Sequence, residues 1–146
     1  MEIKLTSLES EKCFYDALCN GLNWVCSGYN LEIEYDPAEY QIAKEYAEAH
    51  PLPYGYGAWL LSLNMPSGEV CFEDILVTML ILGYEISLKD VGYDGSFDSS
   101  ISLKDVHERV QTIPAEHLLD MINEQGDGTT ADITLQHVFF GKCIFG

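Results

Sequence analysis

Ile86-Ser-Leu-Lys-Asp-Val91 and Ile101-Ser-Leu-Lys-Asp-Val106 are one hexapeptide written twice, on either side of Asp94-Gly95. Asp-Gly suits a type I′ turn, whose two central residues both take positive φ. With that pair at the tip, Leu88 falls opposite Ile101 and Ile86 opposite Leu103, so apolar residues meet on one face. Upstream, Phe72, Ile75, Leu76, Met79 and Leu80 recur at helical spacing between Cys71 and Leu82. Downstream, Leu103, Val106 and Val110 do the same, and Ser102 with Asp105 three residues later reads as a capping box. Identical hexapeptides are therefore expected to end in different states, the first extended and the second turning helical near Leu103. The stretch predicts helix, hairpin, helix, with the hairpin at about Tyr84 to Leu103. Six residues repeated once are too few for a repeat architecture.

Toward the N-terminus, Thr6 and Glu9 form a second capping box, and Leu8, Phe14 or Tyr15, Leu18, Leu22 and Val25 continue at helical spacing. A helix over about Ser7 to Trp24 is predicted, with Ser27-Gly28 as its latest stop. Leu31, Ile33 and Tyr35 alternate with Glu32 and Glu34, the period-two pattern of a half-buried strand with an acidic outer face. Asp36-Pro37 with Glu39 opens the next helix, in which Ile42, Ala43, Tyr46 and Ala47 make the apolar face. His50-Pro51 stops it, and Pro51 to Gly57 is loop by composition. Ala58 to Leu63 is a short buried strand or a helical turn, and Met65-Pro66-Ser67-Gly68 is the next break.

Toward the C-terminus, Pro114 starts a helix with Leu118, Leu119 and Ile122 inward, and Gly126-Asp127-Gly128 ends that segment. Thr129 and Asp132 are read as capping a last helix that carries Ile133, Leu135, Val138 and Phe139 as far as Gly141. The apolar tail from Cys143 to Phe145 is expected to dock. No linker divides the 146 residues, so we expect one α+β domain, mostly helical, over 1–146.

Charge is the strongest global feature: 24 acidic residues oppose 7 basic ones, for a net of −17, and Arg109 is the single arginine. Such a field repels nucleic acid and anionic membranes, and it favours encounter with a basic protein surface. No apolar run is long enough to span a bilayer, and Glu2, Glu9 and Glu11 are unlike a signal peptide, so a cytoplasmic location is expected. Five cysteines at irregular spacing fit reduced thiols better than a disulfide framework.

Local motifs for chemistry are weak. No Cys-x-x-Cys or His-x-x-x-His pair has zinc spacing, so neither a metal site nor a cofactor is expected. Cys13, Cys19 and Cys26 are spaced at six and seven, which places them on roughly similar faces of a helix. Asn123, Gln125, Asp127 and Gly128 imitate the start of an EF-hand loop, but Thr134 stands where a bidentate Glu is needed. Asp94 and Asp98 could hold a weak cation, though an Asp-Gly-Ser turn needs none. His107, Glu108, Glu116 and His117, with a cysteine, would supply acid–base or nucleophilic chemistry if a cleft gathered them. Tyr54 and Tyr56 in a loop, with Trp24, Trp59 and further tyrosines including Tyr93, are rings of the kind used at protein interfaces, or simply core with a wet hydroxyl.

The run Asp105-Val-His-Glu-Arg-Val, Pro114-Ala-Glu-His-Leu-Leu-Asp-Met-Ile-Asn-Glu and Thr129-Thr-Ala-Asp-Ile through Phe145-Gly146 resembles small acidic proteins of phages and mobile elements of gut bacteria. That group has no assigned catalytic residue, and the resemblance implies a host-interaction or accessory role. These features support three expectations. The first is a non-enzymatic interaction protein that engages a basic, nucleic-acid-handling protein through Glu32, Glu34, Asp36 and Glu39, with Asp90, Asp94 and Asp98 along the hairpin and Tyr54 and Tyr56 beside them. The second is a small hydrolase or ligand-binding domain using His107, His117 and a cysteine. The third is a structural homo-oligomer joined by the hairpin edge or the tail.

Overall fold

In the computed structural model, which describes residues 4–64, 69–92, 94–123 and 127–146, the repeated hexapeptide does split into two states. The first copy forms β2 (Ile86–Asp90), whereas the second ends β3 (Ser99–Ile101) and opens α5 (Leu103–Val110). The Ser102 side chain accepts from Asp105 N, and Asp105 Oδ2 accepts from Ser102 N at 2.9 Å, which closes the expected capping box. The residues C-terminal to each copy decide its fate: His107-Glu-Arg-Val110 continues a helical pattern, and Gly92 does not.

The pairing register is shifted by two from the one expected. Ile86 lies opposite Ile101 and Leu88 opposite Ser99. Asp94 (φ 55°) and Gly95 (φ 82°) do take the left-handed conformation, but they sit inside a longer connection. Asp90 and Asp98 hold that connection. Asp90 accepts from Gly92 N at 3.0 Å and Phe97 N at 3.1 Å, and Asp98 Oδ1 takes Asp90 N at 2.7 Å, ending the ladder early. An even shift keeps each side chain on its face, so Ile86, Leu88 and Ile101 still point into the core. Tyr93 and the break at Met65 to Gly68 lie outside the described residues, as do Gln125 and Gly126.

The sheet is completed by β1 (Leu31–Glu34), antiparallel to β2, in the order β1-β2-β3. Its inner face meets α1 (Ser7–Tyr29), α4 (Phe72–Ile81) and α7 (Gly128–Phe140). One core joins these layers, with Phe14, Leu18, Leu76, Met79, Leu80, Leu88, Leu135 and Phe139 at or near zero exposure. The molecule is α+β, with seven helices and a three-stranded antiparallel sheet among the described residues.

Several local expectations are corrected by tertiary contacts. α1 runs five residues past Trp24, to Tyr29, because Gly21 is buried in the α1–α7 crossing; a Cβ there would lie 2.8 Å from that of Ala131. It stops at Asn30 in the left-handed region, φ 56°. Cys13 is buried, Cys26 half-buried and Cys19 exposed, since six residues on a helix leave side chains about 120° apart. In α2 (Pro37–Ala49) only Ala43 and Ala47 are buried; these small residues let the helix lie close on α4, leaving Ile42 and Tyr46 exposed. α3 (Tyr56–Ser62) resolves the open choice as a helix. In α6 (Ala115–Ile122) Leu118 and Met121 are buried, whereas Leu119 and Ile122 are exposed. α7 is capped by Asp127, which accepts from Thr130 N at 2.9 Å, and not by Thr129 with Asp132. Asp132 instead accepts the Tyr29 hydroxyl at 2.6 Å.

The tail docks as expected. Ile144 N and Phe145 N both donate to Gln136 Oε1 at 2.8 Å, and the Phe145 ring stacks on Tyr29 with centroids 4.6 Å apart.

Candidate functional site

Three sets of side chains merit attention as a site. The first is the acidic surface anticipated from sequence. Period two in β1 turns Leu31 and Ile33 inward and sends Glu32 and Glu34 outward, where both are exposed. Their cross-strand partners are Lys89 and Ser87, so the outward strand residues carry two carboxylates and one ammonium. The Lys89 ammonium pairs with Asp98 Oδ2 at 3.6 Å. Asp36 comes next, at the start of α2, its Oδ1 accepting from Ala38 N at 2.8 Å and Glu39 N at 3.1 Å; it remains exposed, and Glu39 is half-buried.

Asp90 leaves this surface. It is buried, and its oxygens are occupied by the hairpin turn, because in β2 it shares the inward parity of Ile86 and Leu88. Asp94 and Asp98 remain exposed at the hairpin tip. Tyr54 also faces inward: its hydroxyl donates to Glu11 Oε1 at 3.2 Å and its ring meets that of Tyr15. Tyr56 begins α3 and is exposed.

The second set is a polar knot that local motifs did not reveal. Asp74, at the N-terminus of α4, is 2% exposed, and its Oδ1 accepts from Tyr56 N at 3.1 Å. Its Oδ2 accepts from Cys71 N at 3.0 Å and from Cys71 Sγ at 3.3 Å. The Tyr15 hydroxyl accepts from Tyr56 N at 3.0 Å and lies 3.6 Å from Cys71 Sγ. Gly55 allows this closeness, since a Cβ there would collide with Asp74 Oδ1. Donors aimed at the carboxylate, together with the helix N-terminus, offset the cost of burying it.

Electrostatics makes this knot a poor nucleophile. Burial pushes the Cys71 and Cys13 thiols up to about 11, with the Asp16 carboxylate adding to Cys13. Reactive cysteines need the opposite shift. Burial likewise raises Tyr15 and Tyr54 well above the phenolic range.

The histidines are spread over separate contacts. His107 Nε2 is 2.8 Å from Glu11 Oε2, a pairing across 96 residues of sequence. His117 meets Thr130 Oγ1 at 3.3 Å and Glu116 at 3.7 Å. His137 meets Thr112, and burial with His117 nearby lowers its pKa. His50 stacks on Tyr46. Among the described residues no cysteine thiol meets a histidine ring, and no three His, Cys, Asp or Glu side chains are grouped to hold a metal ion.

The third set is an open groove of about 390 Å³ between α1 and the start of α7, lined by Asn20, Trp24, Asp127, Gly128, Thr129 and Asp132. Trp24 is 70% exposed. In the sequence the one signal separating it from a core tryptophan was its place between Leu22 and Val25, off the expected apolar positions.

Among the described residues no helix is long and apolar enough to cross a membrane. No family model, curated protein or solved structure matches the chain.

Proposed function

We propose that the protein is a non-enzymatic binding module that presents its acidic surface to a basic surface of another protein, of the kind that handles nucleic acid. The observation that carries this reading is the outward run of Glu32, Glu34 and Asp36 along β1 and into α2, where the one strand-borne base among the described residues, Lys89, is already paired with Asp98. The chain's net charge of −17 adds to that local excess of carboxylates over bases. Opposite charge across an interface steers encounter and fixes register. Thiols held protonated and histidines committed to separate partners give the hydrolase reading no comparable support. Encoding by a phage or mobile element would suit such a role.

The test is affinity capture from bacterial lysate with wild-type protein and with E32Q/E34Q/D36N/E39Q. Asparagine at position 36 retains the helix cap, so the fold is spared. A basic protein held by wild type and lost by the variant supports the reading. A partner held equally by both overturns it.

A further inference from the structure

The helical geometry around Trp24 leaves its ring available. The residues one turn away on α1 are Asn20, which is short, and Gly28, which has no side chain and around which a Cβ would meet nothing within 4 Å. Among the described residues Trp24 stacks on no other ring and makes no hydrogen bond. A large apolar ring left 70% in water on a well-packed helix forgoes burial that a tryptophan usually contributes. Beside it the groove is walled by Asp127 and Asp132, and none of the six lining residues is basic. Asp127 stays ionised, since the hydrogen bond from Thr130 N holds its carboxyl below the usual range.

We infer that this groove receives an arginine side chain from a basic protein partner. An indole face attracts a cation more strongly than other aromatic rings do, and a guanidinium is planar enough to stack while its edge donates to a carboxylate. Lysine satisfies the charge without the stacking. The groove volume of about 390 Å³ lies within the range of small-ligand sites, large enough for one such side chain. The inference rests on the proposed preference for basic partners and names a specific anchor for it.

The experiment titrates a blocked hexa-arginine peptide at low salt into isotopically labelled Trp59→Phe protein, in which Trp24 supplies the one indole resonance. The expected result is a saturable shift of the Trp24 indole N–H and of the Gly128 and Thr129 amides. Trp24→Ala should weaken binding about fivefold or more, and Asp127→Asn, which keeps the helix cap, should also weaken it. Hexa-lysine should bind less tightly. Unmoved Trp24 with shifts confined to Glu32 and Glu34 would overturn the groove assignment and leave the acidic-surface reading standing. Trp24 shifts that persist unchanged in E32Q/E34Q/D36N/E39Q would support the groove and count against that reading. An equal shift with a hexa-glutamine peptide would overturn the cationic assignment, and absence of any binding would overturn both.

Discussion

Glu32 lies directly opposite Lys89 across the β1–β2 ladder, and the Lys89 ammonium pairs with Asp98 Oδ2 at 3.6 Å, so the base facing Glu32 is held by a carboxylate at the hairpin tip. Half-exposed pairs of this kind contribute little to stability, on the order of 0–1 kcal/mol, but they set the local field. Lys89→Gln is therefore expected to leave the fold intact and to speed association with a basic partner by a factor on the order of two to five at low salt. Glu32→Lys should slow it. Stopped-flow association rates at low ionic strength check both signs.

The thiols give a prediction against chemistry. Cys71 and Cys13, at about 11, are protonated at pH 8, so iodoacetamide should label these two thiols far more slowly in the folded chain than in the unfolded one. Between pH 9 and about 11 the unfolded chain loses thiol protons that the folded chain keeps, so stability falls as pH rises through that window. Rapid labelling of Cys71 at pH 8 would return the nucleophile reading to consideration.

Asp74 is the hub of the buried knot, and its removal strands several donors. Asp74→Ala leaves Tyr56 N short of one acceptor and Cys71 N without its carboxylate, which should cost about 3 kcal/mol in denaturant unfolding. Gly55→Ala should be destabilising as well, because its Cβ meets Asp74 Oδ1.

Gln136, 1% exposed, ties the tail to α7 by accepting from Ile144 N and Phe145 N. Gln136→Leu keeps apolar bulk and removes those acceptors. The expected outcome is a loss of about 1–3 kcal/mol and faster proteolysis beyond Gly141.

Legibility in the sequence tracked the range of the interaction. Three caps closed within three residues were readable, Thr6 with Glu9, Asp36, and Ser102 with Asp105, whereas the equally short cap of α7, Asp127 to Thr130, was misplaced by two residues. The strand at Leu31 and the docking of the tail were legible from period and hydropathy alone. The hairpin register was missed because the turn is closed by aspartate side chains reaching backbone N–H groups, which a two-residue turn rule does not contain. Asp90 carried a usable signal, since it shares the parity of Ile86 and Leu88 and so had to face inward. The Glu11–His107 pair and the Tyr15–Asp74 knot join residues from separate elements, and no local spacing encodes them. Leu119, expected inward, and Trp24, left open between core and interface, are both exposed for the same reason: a 3.6-residue period names a face but not what covers it.

The most direct test is the dissociation constant for the captured basic partner, measured from about 50 to about 500 mM salt. Screening of an acidic surface predicts weakening by about tenfold or more across that range, with a shallower slope for E32Q/E34Q/D36N/E39Q. An affinity that stays flat with salt, for wild type and variant alike, would contradict the account.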